Sequence, residues 1–146
     1  MENVHGNAVV IYESNVMKSI ARNLPINSRP VSWDPDKKET LCSNFQTTWD
    51  GIICGNLGGI EKIYFPNGNS AIDLKYFKSL SELSFLQEID FSSTTGFKMV
   101  YGSLPSEWKN ITTLNAIKIT NNQISGKYIK TSVSFANFYV PLTINF

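Results

Sequence analysis

The sequence contains few of the side chains that bind metal ions or act as nucleophiles. It has one histidine, His5, and two cysteines, Cys42 and Cys54. A zinc site needs clustered cysteine, histidine or carboxylate ligands, and a catalytic cysteine needs a histidine partner. The glycine-rich segment 55–59 is not followed by the Gly-Lys-Ser/Thr of a phosphate-binding loop. We therefore expect no metal ion, no cofactor and no enzymatic activity.

The chain also lacks an excess of charge of either sign, and it lacks long apolar runs. Its 13 basic and 12 acidic residues give a net charge of +1, which does not indicate a nucleic-acid or anionic-membrane partner. No segment approaches the roughly 20 apolar residues of a membrane-spanning helix. Residues 1–5 have neither the basic start nor the apolar run of a signal peptide, so secretion requires a signal that has been removed.

The composition is that of a folded domain with periodic apolar segments. Hydrophobic residues make up 42% and charged residues 17% of the 146 residues, which is typical of a globular protein rather than a disordered one. Residues 7–24 have helical periodicity. We predict an amphipathic helix that Asn3 or Asn7 caps and that Pro25 ends.

The stretch from Gly102 to Gly126 has a pattern from which the fold of a large part of the chain can be predicted. Its apolar residues are Leu104, Trp108, Ile111, Leu114, Ile117, Ile119 and Ile124. Their spacing changes from steps of three and four residues to a step of two, which predicts an arc that runs into a very short strand. One such unit cannot bury its own apolar face, so similar units must stack on it.

Two earlier segments repeat this pattern. Positions one, four and six are apolar in Ile60, Ile63 and Phe65, in Leu86, Ile89 and Phe91, and in Leu114, Ile117 and Ile119. The first positions are separated by 26 residues (60 to 86) and by 28 residues (86 to 114), which is near the long end of the range for known repeats. Between them we expect a helical arc over 74–83 and a surface bulge over 95–101. The alternation in 142–146 predicts a fourth strand.

These segments resemble plant-type leucine-rich repeats, as found in receptor-kinase ectodomains and polygalacturonase-inhibiting proteins. The resemblance rests on Gly102, Pro105, Asn122 and Gly126 of the repeat motif, and on a cap motif, W-x-G-V-x-C, that 49–54 matches closely. The family implies an α/β fold, a short right-handed solenoid with parallel strands on its concave side and an N-terminal helical cap. It also implies two parts. The first is an N-terminal cap with a helix and a disulfide over 1–59, and the second consists of about three to four repeats over 60–146, of which the last is degenerate.

The cap motif further implies a disulfide bond between Cys42 and Cys54, and hence an oxidising, secreted or extracellular location. The alternative is a pair of buried free thiols in a cytosolic protein. The chain has one Asn-x-Ser/Thr sequon, at Asn110. A eukaryotic secretory pathway would attach a glycan there, and an unmodified surface asparagine is the alternative.

In this family the outward strand positions form a continuous concave face that binds a protein, peptide or glycan. The candidate binding residues are Lys62, Tyr64, Glu88, Asp90, Asn115 and Lys118. Stacking predicts one row of residues 62, 88 and 116 and a second row of residues 64, 90 and 118. Opposite charges on adjacent strands either recognise a ligand or pair with each other. A general acid–base role for Glu88 and Asp90 is less favoured than a solvated strand face.

A structural or assembly protein is the second class of function. The chain ends in Leu142, Ile144 and Phe146, with no charge after Lys130. An apolar strand at an edge is a template for another strand, so this edge would allow the chain to associate with itself. A fragment of a larger receptor is a third interpretation.

Overall fold

A computed structural model describes residues 4–65, 71–91, 100–118 and 123–124, with side chains described for 8–65, 71–91 and 100–118. In these ranges the chain forms helix α1 (Val4–Asn23) and strands β1 (Ile52–Cys54), β2 (Ile60–Tyr64), β3 (Ile72–Asp73), β4 (Glu88–Asp90), β5 (Val100–Gly102), β6 (Ala116–Lys118) and β7 (Gln123–Ile124). It also forms the 3-10 helices η1 (Ser43–Phe45), η2 (Leu74–Glu82) and η3 (Ser106–Asn110).

The main sheet has the strand order β1-β2-β4-β6. Strands β2, β4 and β6 are parallel, and Ile63, Ile89 and Ile117 lie in register across them. The parallel arrangement predicted from the repeated apolar pattern is therefore confirmed. Strand β1 was not predicted, and it pairs with β2 in the antiparallel direction. It lies in the cap segment, so the sheet extends across the boundary expected near residue 59.

A second, smaller sheet has the order β3-β5-β7, and its strands are also parallel. Each of these strands is two or three residues long. Strand β5 corrects the end of the surface bulge expected over 95–101, because Val100 is fully buried and pairs with Ile72. Residues 95–99 of that expected bulge lie outside the described residues. Gly102 ends β5 at a φ of +94°, a conformation that glycine adopts without the steric cost of a Cβ atom.

Between the strands and the arcs lies one continuous apolar core. Eight of the nine strand positions predicted to point inward are described, and all eight are buried: Ile60, Ile63, Phe65, Leu86, Ile89, Phe91, Leu114 and Ile117. The ninth, Ile119, lies outside the described residues. Aromatic rings connect the cap to this core. Trp49 stacks on Trp33, whose ring meets Phe65 edge-on, and Phe65 in turn contacts Phe77 and Phe91. The cap and the repeats thus share one hydrophobic interior.

The arcs are helical, as the spacing predicts for residues 74–83. Leu74, Phe77 and Leu80 are buried at every third position of η2, which matches the three residues per turn of a 3-10 helix. In η3 the indole nitrogen of Trp108 donates to the backbone oxygen of Phe77 at 2.9 Å. This buried hydrogen bond joins the two arcs.

Helix α1 covers the start of the core with one face, on which Met17 and Ala21 are fully buried and Ile20 is nearly so. The helix begins before Asn7 and includes it, so Asn7 is not the capping residue. The helix ends at Asn23, Leu24 is buried, and Pro25 follows it, where the proline was expected to end the helix.

Glu13 of α1 is a buried acidic residue that joins the helix to the repeats. One carboxylate oxygen accepts a hydrogen bond from the N–H of Ile60 at 2.8 Å, and the other accepts from the N–H of Ser84 at 3.0 Å. Burial raises the pKa of Glu13, and the two backbone hydrogen bonds oppose that shift. The carboxylate thereby satisfies two amides, at the start of β2 and after η2, that would otherwise lack an acceptor.

Candidate functional site

The outward side of the main sheet carries the candidate residues in the two rows expected. Lys62 lies opposite Glu88, and Glu88 lies opposite Ala116. In the next row Tyr64 lies opposite Asp90, and Asp90 lies opposite residue 118. We call this surface the strand face and define it by Lys62, Tyr64, Glu88, Asp90, Asn115 and Lys118.

The charges of the strand face converge on Glu88. Its carboxylate lies 2.9 Å from the Lys118 ammonium group and 3.7 Å from that of Lys62. Lys118 thus reaches diagonally to Glu88, although Asp90 is its direct neighbour in the sheet. The hydrogen bond from Lys118 and the charge of Glu88 raise the pKa of Lys118. Opposite charges on adjacent strands therefore pair with each other, which is one of the two interpretations that the sequence left open.

The exposed fractions of these side chains differ. The Glu88 side chain is 14% exposed, whereas Lys62 and Lys118 are 37% and 42% exposed. Both lysine side chains are therefore more accessible to solvent than the Glu88 side chain with which they pair. Tyr64 and Asp90 are half-buried beside them.

Asn115 lies at the rim of the strand face and not within a strand. It immediately precedes β6, its side chain is exposed, and its N–H donates to the backbone oxygen of Gln87 at 2.7 Å. The backbone is thereby held against β4 while the amide side chain remains accessible.

Strand β1 adds one residue to this surface that the sequence did not indicate. Ile53 pairs with Lys62, and paired residues of antiparallel strands have their side chains on the same face of a sheet. Ile53 is 43% exposed, unusual for isoleucine in a strand, and lies diagonally from Tyr64. The two consecutive β-branched residues Ile52 and Ile53 favour a strand, but they were interpreted only as part of the cap motif.

The two cysteines form a disulfide bond, with a Cα–Cα distance of 5.3 Å. The bond closes the loop 42–54, which we call the disulfide loop. Glu39, just before this loop in the chain, accepts hydrogen bonds from the hydroxyl groups of Thr47 and Thr48 and from the N–H of Thr48. Burial raises the pKa of Glu39, but these hydrogen bonds and the charge of Lys37 outweigh it and hold the pKa below its usual value.

The remaining sequence predictions fall in different places. Asn110 is exposed at the last position of η3, and Thr112 of the same sequon is also exposed. The motif residues Asn122 and Gly126 lie outside the described residues, as does the apolar segment 142–146.

Within 4–65, 71–91, 100–118 and 123–124, no three His, Cys, Asp or Glu side chains gather into a group that holds a metal ion. Over the same ranges, no helix has both the length and the apolar character needed to cross a membrane.

Comparison with known proteins identifies the fold. No protein-family model and no curated protein matches the sequence. Among solved structures, the chain is similar to a protein in the crystal structure of PEPR1–AtPEP1, with a TM-score of 0.69 and 22% sequence identity. The alignment covers 92% of this chain and 18% of that chain, so the present chain spans less than a fifth of its length. Since PEPR1 is a plant leucine-rich-repeat receptor ectodomain, this chain has a leucine-rich-repeat-like fold.

Proposed function

We propose that this chain is an extracellular recognition module that binds a peptide segment of a partner protein across the strand face. The observation that carries the proposal is the exposure of Lys62 and Lys118 on either side of the less exposed Glu88. The Glu88 carboxylate orients both ammonium groups and leaves part of each accessible to a ligand. Preorganised charges of this kind confer specificity, because they do not have to be ordered on binding.

The chemistry of the face favours a peptide with an acidic and an apolar side chain. A ligand carboxylate would lie over the two lysines. Ile53 and Tyr64, at the β1 end, provide apolar area for a side chain next to it. The similar crystal structure is of PEPR1 together with AtPEP1, and this supports a recognition role for the fold.

The architecture proposed with this function is a short right-handed solenoid. A cap over 1–59 covers one end of about three to four repeats over 60–146, with the strand face on the concave side. The disulfide between Cys42 and Cys54 fits an oxidising, extracellular compartment. The proposal includes no catalysis. It assigns Glu88 the task of orienting two lysines, so this carboxylate does not act as a general acid or base.

Selection of peptides against the immobilised, oxidised protein tests this function. Peptides selected from a random library should be enriched in Asp or Glu next to an apolar residue. Lys118→Glu brings a second carboxylate next to Glu88 and should weaken binding by at least about tenfold, or 1.4 kcal/mol. The matched control is Lys78→Glu, the same charge change on the exposed side of η2.

Two results would count against the proposal. The first is a selected set with no acidic preference. The second is an equal loss of affinity in both variants, which would point to net charge and not to the strand face. The affinity of the parent protein for the selected peptides should also fall between 0.05 M and 0.5 M salt, since an exposed ion pair weakens as ionic strength rises.

A further inference from the structure

The tip of the disulfide loop has an unusual backbone. Within four residues, Cys42, Asn44 and Phe45 have φ values of 66°, 57° and 61°. Asparagine adopts this left-handed conformation readily, but it is unfavourable for a bulky residue such as phenylalanine. The N–H of Phe45 donates to the backbone oxygen of Cys42 at 2.9 Å, and this hydrogen bond closes the turn. A conformation of this kind persists only where the surroundings impose it.

The surroundings of the tip are rigid on both sides. On one side Cys42 is buried and bonded to Cys54. On the other, Thr48 is held by two hydrogen bonds to the Glu39 carboxylate, and Trp49 is buried in the core. The loop between these anchors holds the ring of Phe45 in solvent, where it is 58% exposed.

A pocket of about 370 Å³ lies between this loop and the residues that precede it, Glu39 and Thr40. Apart from Glu39, its lining consists of hydroxyl and amide side chains: Thr40, Ser43, Asn44, Gln46, Thr47 and Thr48. Two of these, Asn44 and Gln46, are the neighbours of Phe45 in the chain. The volume falls within the range of small-ligand sites in proteins.

The chemistry of the lining selects the class of ligand. Among the described residues no basic side chain lines the pocket, so a phosphate, a sulfate or an acidic sugar would find no counter-ion there. The Glu39 carboxylate is engaged by Thr47 and Thr48, which makes it a poor partner for a cation. Amides and hydroxyls both donate and accept hydrogen bonds, as sugar hydroxyls do. A neutral sugar also has an apolar C–H face that stacks on an aromatic ring, whose face is electronegative.

From these features we propose that the disulfide loop is a second binding site, which takes one unit of a neutral oligosaccharide. The sugar hydroxyls bond to the amide and hydroxyl side chains of the pocket, and the C–H face of the same or the adjoining unit stacks on Phe45. A partner protein is the less favoured occupant. A single exposed ring among polar side chains lacks the contiguous apolar centre of a protein interface.

The test uses the oxidised chain and three neutral β-linked oligosaccharides: cellohexaose, xylohexaose and mannohexaose. Hexagalacturonate serves as the acidic comparison. Saturation-transfer NMR and calorimetry should detect at least one neutral oligosaccharide with a dissociation constant of about 1 mM or lower, and should detect no hexagalacturonate at this site. Detection of none of the neutral oligosaccharides would overturn the proposal.

Phe45→Gly separates binding from folding, because its two effects have opposite signs. Loss of the ring should weaken oligosaccharide binding by at least about tenfold. Glycine should raise the melting temperature, since it adopts a φ of 61° without strain. Gln46→Ala, which removes one amide from the lining, should also weaken binding. Val31→Ala is the control, as Val31 is an exposed apolar residue of the cap that is absent from the lining.

Other results have equally definite meanings. Unchanged oligosaccharide affinity in both Phe45→Gly and Gln46→Ala would overturn the site. A third result is that no neutral oligosaccharide binds, while a protein binds to the loop and Phe45→Gly abolishes that binding. This result would overturn the oligosaccharide proposal and identify the ligand of the loop as a protein. Lys118→Glu should leave oligosaccharide binding unchanged, so failure of this proposal is distinguishable from failure of peptide recognition on the strand face.

Discussion

The carboxylate of Glu13 accepts a hydrogen bond at 2.8 Å from the backbone N–H of Ile60, a residue 47 positions later in the chain. Ile60 begins the first parallel strand, so the contact joins the covering helix directly to the sheet. The second carboxylate oxygen of Glu13 accepts a hydrogen bond from the backbone N–H of Ser84 at 3.0 Å. One side chain thus connects α1 to two successive segments of the repeat region.

Replacing Glu13 should destabilise the protein more than its charge alone would suggest. Glu13→Gln retains the shape but offers one oxygen where two amides need acceptors, and it turns an NH₂ group towards a backbone donor. We expect a loss of about 1–3 kcal/mol in the free energy of unfolding, measured with urea. Glu82→Gln is the control, because the Glu82 carboxylate accepts from the hydroxyl of Tyr12 at an exposed site. Equal losses in the two variants would contradict the proposed role of Glu13.

The hydrogen bonds to Glu39 predict a dependence of stability on pH. Because the folded protein holds the pKa of Glu39 below its usual value, the unfolded chain binds this proton more readily. The stabilising contribution is present above the pKa of the unfolded chain and is lost as pH falls through the folded pKa. The difference in unfolding free energy between the parent and Glu39→Gln should therefore be larger at pH 7 than at pH 3. A difference that does not change between these values would refute this assignment.

The buried tryptophans should differ in their tolerance of phenylalanine. Trp108 donates to the backbone oxygen of Phe77, and Trp33 donates to that of Asp50 at 2.7 Å. Among the described residues, the indole nitrogen of Trp49 is buried and has no hydrogen-bond partner. Trp108→Phe removes a buried hydrogen bond, whereas Trp49→Phe removes an unsatisfied donor. We expect Trp49→Phe to cost about 1 kcal/mol less than Trp108→Phe in urea unfolding. The reverse order would be evidence against this account.

Asn110 should carry a glycan when the chain is produced through a eukaryotic secretory pathway. The side chains of Asn110 and Thr112 are both exposed, so the transferase can reach the sequon. Mass spectrometry of the purified protein should show a mass shift that peptide-N-glycosidase removes. Thr112→Ala should abolish the shift, whereas Thr113→Ala, outside the sequon, should not. A native chain without a glycan at Asn110 would remove this support for secretion.

The repeated apolar spacing, together with the resemblance to leucine-rich repeats, predicted the parallel part of the main sheet. Residues at positions one, four and six must turn inward to leave water, and repetition of this pattern aligned Ile63, Ile89 and Ile117 correctly. The same spacing predicted the arc at η2, and the motif around the two cysteines predicted their bond. These features depend on local periodicity and on short motifs, which a single sequence records directly.

Tertiary structure decided the features that depend on side-chain reach and on distant partners. Lys118 could pair with Asp90 or with Glu88, and only the packed geometry selects the diagonal partner. Nothing local indicates that Glu13 meets Ile60, because that contact depends on how α1 docks on the sheet. The left-handed backbone at Phe45 is likewise imposed by the disulfide and by the Glu39 hydrogen bonds, since the residue type itself opposes it. The sequence determined which side chains must be buried, and the docking of distant segments determined which polar groups meet.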